Sequence, residues 1–186
     1  MQRINKENIN SIEFWDKNIA HPEYGLRQEK YLKLAGEGKR IIEVGCGCSP
    51  FLAVATAHFK ETWGLDFSTE TLKECRKLYP NVNYVLGNAL CTPFKDNFFD
   101  VVVAGELIEH LEKPEVLIKE MARIGKTLIL STARMEYDEP EHLWKFEKED
   151  FIKLLSPYGK VETEEIDSQL FKGRNYLFAY VRNIQN

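Results

Sequence analysis

Residues with chemical reach cluster between positions 43 and 110. Glu43 stands two residues before Gly45-Cys46-Gly47, Asp66 closes the next apolar stretch, and Gly105-Glu106-Leu-Ile-Glu109-His110 follows a later one. Glycines let a backbone pass close to a bound ligand because no side chain intervenes. An acid about 20 residues beyond such a turn can accept both hydroxyls of a ribose. Asp66 holds that position, and at a strand end it can equally cap the next helix. His110 titrates near neutrality and suits removal of a proton from a hydroxyl or amine; the bland alternative is a structural histidine fixing its loop. Together the residue types describe a nucleotide-like ligand at a glycine turn, with an acid–base group beside it.

These groups need a scaffold that brings them to one place. Arg40–Val44 is short and β-branched, as suits a buried parallel strand. The run from Phe51 to His58 predicts a helix over about residues 50–59, with Pro50 in its first turn. Further strands are predicted at Glu61–Leu65, Val82–Leu86, Phe98–Ala104 and Thr127–Ser131, and helices at Glu70–Leu78, from Pro114 to Ile124, and at Phe146–Leu155. Lys160–Ile166 and Asn175–Arg182 alternate like two antiparallel strands around a turn at Lys172-Gly173. Ahead of the first strand, Ile9, Ile12, Trp15 and Ile19 predict a helix over about residues 8–19. Leu26–Ala35 predicts another, ended by Gly36. This arm either packs as scaffold or folds over the ligand as a lid. Thr132–Glu141 reads as a long acidic loop.

Strands alternating with helices, then a hairpin, define an α/β, doubly wound sheet, mostly parallel with one antiparallel member. Ligands bind such sheets outside the carboxyl ends of the strands, at the switch point. Gly45–Gly47, Asp66, Asn88 and Gly105-Glu106 all fall at strand ends of that kind.

Composition narrows the field. A chain of 186 residues predicts one domain (1–186), divided into a helical arm (1–38), a ligand-binding half (39–132) and a second-substrate side (133–186). The apolar fraction of 44% and charged fraction of 29% are those of an ordinary soluble protein. A net charge of −4 argues against a grip on nucleic acid phosphates. The sequence shows neither a membrane-length apolar run nor a signal peptide. Cys46, Cys48, Cys75 and Cys91 lack paired CxxC spacing and read as reduced thiols of a cytoplasmic protein. Cys46-x-Cys48 reads as small-residue filling rather than a redox pair.

Four motifs in order, from about residue 39 to 158, resemble those of the class I S-adenosylmethionine-dependent methyltransferases, of the small type 11-like kind. Glu43-Val-Gly-Cys-Gly-Cys-Ser looks like their first motif and Gly64-Leu-Asp66-Phe-Ser like the second. Asn88-Ala-Leu with Pro93-Phe is similar to the adenine-flanking segment. Phe99-Asp-Val-Val-Val-Ala-Gly-Glu-Leu-Ile-Glu109-His110-Leu resembles the fourth strand and its ending. The resemblance implies a Rossmann-like sheet of seven strands and S-adenosyl-L-methionine as cofactor. It implies that Glu43, Gly45, Cys46, Gly47, Asp66, Phe67, Asn88, Ala89, Gly105 and Glu106 bind the cofactor. Arg27 is a candidate partner of the methionine carboxylate, or else a solvated charge. Two positions depart from the pattern: Ser49 stands for the third glycine, and Asn88 for the usual acid.

Methyl transfer needs nucleophile, carbon and sulfur held in line with water excluded. The acceptor is read as a small molecule methylated on O or N, with His110 as candidate base and Tyr137, His142 and Trp144 lining its pocket. The acids of the 132–144 stretch either favour a cationic acceptor or are merely solvated. No metal is assigned. An alternative reading, by resemblance to the RNA 3′-terminal 2′-O-methyltransferases, places a divalent cation on Glu106, Glu109, His110 and His142. A nicotinamide-dependent dehydrogenase fits less well, since its third glycine would fall at Pro50. A catalytically silent cofactor-binding subunit predicts binding without turnover. Oligomeric state is left open.

Overall fold

A computed structural model describes residues 2–3, 24–135, 141–167 and 174–184. The helix predicted over 8–19, Tyr137 with most of its acidic neighbours, and the hairpin turn at Lys172-Gly173 lie outside the described residues.

Nine strands are described. A two-residue β1 (Gln2–Arg3) pairs antiparallel with an equally short β7 (Trp144–Lys145). The other seven form the main sheet: β2 (Gly38–Val44), β3 (Phe59–Asp66), β4 (Asn83–Leu86), β5 (Phe99–Gly105), β6 (Gly125–Met135), β8 (Val161–Asp167) and β9 (Arg174–Val181). Their order across the sheet is β4-β3-β2-β5-β6-β9-β8. β9 runs antiparallel between β6 and β8, and the other pairings are parallel. From β2 the chain steps outward through β3 to β4, then returns to lay β5 against the other side of β2. The switch point therefore lies between Val44 and Gly105, and both strands deliver their carboxyl ends there.

Strand alternation sends side chains to two separate cores. One face buries Ile41, Val101, Val103, Ile129 and Phe178 beneath α1 (Tyr24–Ala35), α2 (Phe51–Ala55) and α3 (Thr69–Leu78). The other buries Ile42, Val44, Val102, Leu128 and Leu177 beneath α4 (Pro114–Ile124) and α5 (Lys148–Leu155). Burial of the α4 stripe Leu117, Ile118, Met121 and Ile124 is complete or nearly so, worth about 1.5–3 kcal/mol for each large side chain. Gly36, at φ +67°, ends α1 with its N–H on the Leu32 carbonyl, a left-handed cap that glycine supplies without strain.

Most boundaries shift by one or two residues from the sequence reading, and three of the differences have a visible physical cause. The helix after the glycine turn stops at Ala55, because Phe59 is drawn into β3 and buried in register with Gly38. The strand predicted at 127–131 runs from 125 to 135. Its extra residues Thr132–Met135 pair with β9, so much of the predicted loop is ladder. α5 starts at Lys148 rather than Phe146: Glu147 and Asp150 form a reciprocal capping box, and buried Phe146 stacks on Phe151 at 5.2 Å.

Candidate functional site

A cavity of about 430 Å³ opens at the ends of β2, β3, β4 and β5, within the size range of small-molecule sites. Its lining includes Glu43, Gly45, Cys46, Gly47, Asp66, Phe67, Asn88, Ala89, Gly105, Glu106, His110 and Arg27. Residues far apart in the chain are thus brought together by four strand ends and one helix.

The glycine turn is shaped for close approach. Gly45 and Gly47 have φ of +67° and +48°, and a Cβ on Gly47 would enter open space. Asp66 holds this turn: its carboxylate accepts the N–H of Gly47 at 2.9 Å and that of Ser68 at 2.9 Å. Ser68, rather than Asp66, caps α3 by accepting the Thr71 N–H. Burial raises the Asp66 pKa against these backbone donors, and each carboxylate oxygen retains a second lone pair for a ligand hydroxyl. Asn88 accepts the Leu90 N–H at 2.8 Å, leaving amide donors toward the cavity it lines. Phe67, 54% exposed, sits on the same lining as an apolar wall.

Glu43 lies nearly buried at the end of β2, and its Oε2 has no hydrogen-bond partner among the described residues. Burial pushes its pKa up to about 8, against the pull of Ser49 and Arg27. An unpaired buried carboxylate oxygen facing a cavity fits a ligand that brings a positive charge or a donor.

The opposite wall comes from α1. Arg27 and Tyr31 share a helical face at i and i+4, and Gln28, three residues before Tyr31, also reaches the lining. Arg27 sits 3.5 Å from Glu106 Oε2 and 4.8 Å above the Tyr176 ring. Ser131 Oγ donates to Glu106 Oε1 at 2.8 Å and lies 2.5 Å from the Tyr31 hydroxyl. Glu106 itself has φ +53°, an uncommon left-handed conformation for a residue with a side chain. Its N–H donates to the Ser131 carbonyl. Sequence reasoning misses Tyr31, Gln28 and Ser131. The i, i+4 spacing of Arg27 and Tyr31 is the one signal that could have found any of them.

His110 ends a single 3₁₀ turn, Ile108–His110, and its Nδ1 pairs with the Glu141 carbonyl at 2.9 Å. A carbonyl only accepts, so Nδ1 carries the proton and Nε2 is the basic atom of the neutral ring. Burial lowers its pKa, which keeps the ring neutral at pH 7. His142 is buried behind it, ring centroids 4.9 Å apart, and Trp144 donates its indole N–H to the Leu111 carbonyl at 2.7 Å. Neither His142 nor Trp144 is among the cavity-lining residues. Glu109, His110 and His142 do converge, with one ligand atom of each within 4.8 Å of the others. Both Glu109 oxygens are buried without a hydrogen-bond partner among the described residues, and burial raises that carboxyl to about 8. Glu106, the fourth residue of the metal alternative, is instead engaged with Ser131 and Arg27.

Comparison with known proteins agrees with this geometry. Residues 42–127 match the family model described as a methyltransferase domain. The chain is 32% identical over 169 residues to a demethylmenaquinone methyltransferase of Geobacillus kaustophilus, covering 83% of this chain and 68% of that one. It is 32% identical over 112 residues to a fatty-acid O-methyltransferase of Mycolicibacterium smegmatis, covering 56% and 41% respectively. In fold it is similar to the N-methyltransferase NodS of Bradyrhizobium japonicum: TM-score 0.73, 18% identity, 88% of this chain and 98% of that one. The chain spans about two fifths to two thirds of the length of the two relatives matched by sequence. The chain belongs to the class I S-adenosylmethionine-dependent methyltransferases.

Proposed function

We propose that this protein transfers the methyl group of S-adenosylmethionine to an oxygen or nitrogen of a small-molecule acceptor. The observation that carries the reading is the lining of the switch-point cavity, where a carboxylate faces each end expected of such a cofactor. Asp66 would accept the ribose hydroxyls while keeping its hold on Gly47. Glu43, with its unpaired Oε2, would receive the methionine ammonium. Arg27, at the far wall, would exchange part of its contact with Glu106 for the methionine carboxylate. Phe67, Asn88 and Ala89 would flank the adenine. The bound cofactor supplies an activated methyl group, so these residues have to orient it and keep water out. His110 Nε2 would take the acceptor's proton.

The relatives support a small acceptor, since their names denote a quinone precursor and a fatty acid. The four cysteines lack the paired spacing of a disulfide framework, which supports a cytoplasmic setting. No helix of the described residues is long and apolar enough to cross a membrane. Calorimetry with S-adenosylhomocysteine tests the site, NAD being the control for the dehydrogenase alternative. Release of S-adenosylhomocysteine across an acceptor panel distinguishes an enzyme from a silent binding subunit.

A second reading, metal-dependent methylation of an RNA 3′-terminal 2′-hydroxyl, is favoured by one observation: the convergence of buried Glu109, His110 and His142. Two imidazoles and a carboxylate suit a borderline divalent ion. Loss of methylation of a short RNA after EDTA, restored by Mn²⁺ or Mg²⁺, would select it. The net charge of −4 favours the small-molecule reading.

A further inference from the structure

We infer that Cys48 and Cys75 are an oxidisable dithiol, and that their disulfide clamps the glycine turn of the cavity to α3. Their Sγ atoms lie 2.8 Å apart, although 27 residues separate them in sequence. A disulfide bond is about 2.0 Å long, so the sulfurs have less than an ångström to close. Cys48 is partly exposed on the cavity wall and Cys75 is buried beneath it.

The dithiol is wired into the turn that faces the ligand. Cys75 Sγ donates to the Gly47 carbonyl at 3.0 Å, and Cys48 Sγ reaches the Thr71 carbonyl at 3.5 Å. Gly47 is the residue whose N–H Asp66 holds. Oxidation removes both S–H protons, so both carbonyls lose their donors while a covalent link replaces the contact. The turn is then held in a position set by the disulfide rather than by Asp66, and the cavity floor moves with it.

The chemistry balances with a hydroperoxide as oxidant. The Cys48 thiolate attacks the peroxide, the O–O bond breaks, and a sulfenic acid forms with release of water or alcohol. Cys75 then attacks that sulfur while its proton passes to the departing hydroxyl, so the S–O bond breaks and water leaves as the S–S bond forms. The adjacent Cys48 thiol and burial hold Cys75 protonated in the reduced protein, so Cys48, on the accessible wall, reacts first.

The test uses the full chain carrying Cys91→Ser, which removes the exposed thiol. The protein is treated with hydrogen peroxide, quenched with N-ethylmaleimide and digested without reduction. A peptide joining Cys48 to Cys75, lighter by two hydrogens than the sum of its parts, is expected. S-adenosylhomocysteine should bind the oxidised protein about tenfold more weakly, with affinity restored by dithiothreitol. The ratio of oxidised to reduced affinity should return to one in the additional Cys75→Ser variant. Recovery of both cysteines as maleimide adducts, or a Cys46–Cys48 link in their place, would overturn the pairing. A cross-link with unchanged affinity would overturn the clamp. If S-adenosylhomocysteine fails to bind even the reduced protein, the proposed function fails, while the peptide map still decides the dithiol.

Discussion

The hydroxyl of Tyr31 hydrogen-bonds Ser131 Oγ at 2.5 Å and occupies the space a side chain on Gly105 would need. One atom on α1 therefore spans the end of β5 and the middle of the neighbouring β6. Gly105 is required there by close approach rather than by an unusual φ, and the Tyr31 ring is fixed by edge contacts to Phe51 and Phe178 at 5.2 and 5.3 Å.

Gly105→Ala drives a methyl group into the Tyr31 hydroxyl and should destabilise by about 1–3 kcal/mol. Tyr31→Phe removes that oxygen at a cost of about 1 kcal/mol for the lost hydrogen bond. The double variant should be more stable than the sum of the singles by at least about 0.5 kcal/mol. Urea denaturation of the four proteins measures this, and strict additivity would reject the wedge.

Asp66 serves both turn and ligand, and the two duties separate by substitution. In Asp66→Asn one oxygen remains for two backbone donors, and the new amide points at an N–H. Hydrogen bonds to charged groups are worth about 1.5–3 kcal/mol each, so a loss of roughly that size is expected in both folding stability and S-adenosylhomocysteine affinity. Unchanged affinity beside lowered stability would leave Asp66 as a turn clamp alone.

Glu43 makes stability fall with rising pH. Its folded-state pKa is raised from 4.5 to about 8, so the native state holds an extra proton throughout that window. The contribution is full below pH 4.5 and is lost as pH rises toward 8, by up to about 1.4 kcal/mol per unit. Glu43→Gln should flatten this part of the stability–pH curve. An identical slope in both proteins would show that Glu43 ionises freely.

His110 should set the acidic limb of the rate profile. Burial lowers its pKa below 6.5, and the base form is the unprotonated one, so turnover should rise with pH through that lowered value and level off by neutrality. His110→Ala should lose about 10²–10⁴ in kcat if the imidazole acts as base. A variant with an unshifted profile and a small loss would mark the residue as structural.

Glu43, the glycines, Asp66 and Asn88 are legible in the sequence because they close or follow strands whose apolar runs are easily read, and strand ends are where such sheets bind ligands. Tyr31 is not, since its meaning depends on Gly105 and on Ser131, which is 100 positions away. The length of β6 is hidden for a related reason: Thr132-Ala-Arg-Met135 has little strand signature of its own and is ordered by pairing with β9. Cys46-x-Cys48 stands out as a close pair in sequence, whereas the partner that matters in space is Cys75 on α3. His142 and Trp144 read as pocket walls from their residue types. The fold sets them one layer behind His110, through contacts no local pattern announces.

The extension of β6 past its last pairing with β5 constrains how the protein can evolve. Beyond Ser131 the strand is paired with β9 on one side, and alternate residues send Ala133 and Tyr176 toward α1. A loop tolerates an inserted residue, but here a single insertion ahead of Ala133 would turn that residue to the far face, away from the core it shares with Tyr176. Thr132 and Ala133 are buried and Arg134 is paired with Glu147 and Glu165, so this edge of the molecule is fixed in length first and in side-chain size second.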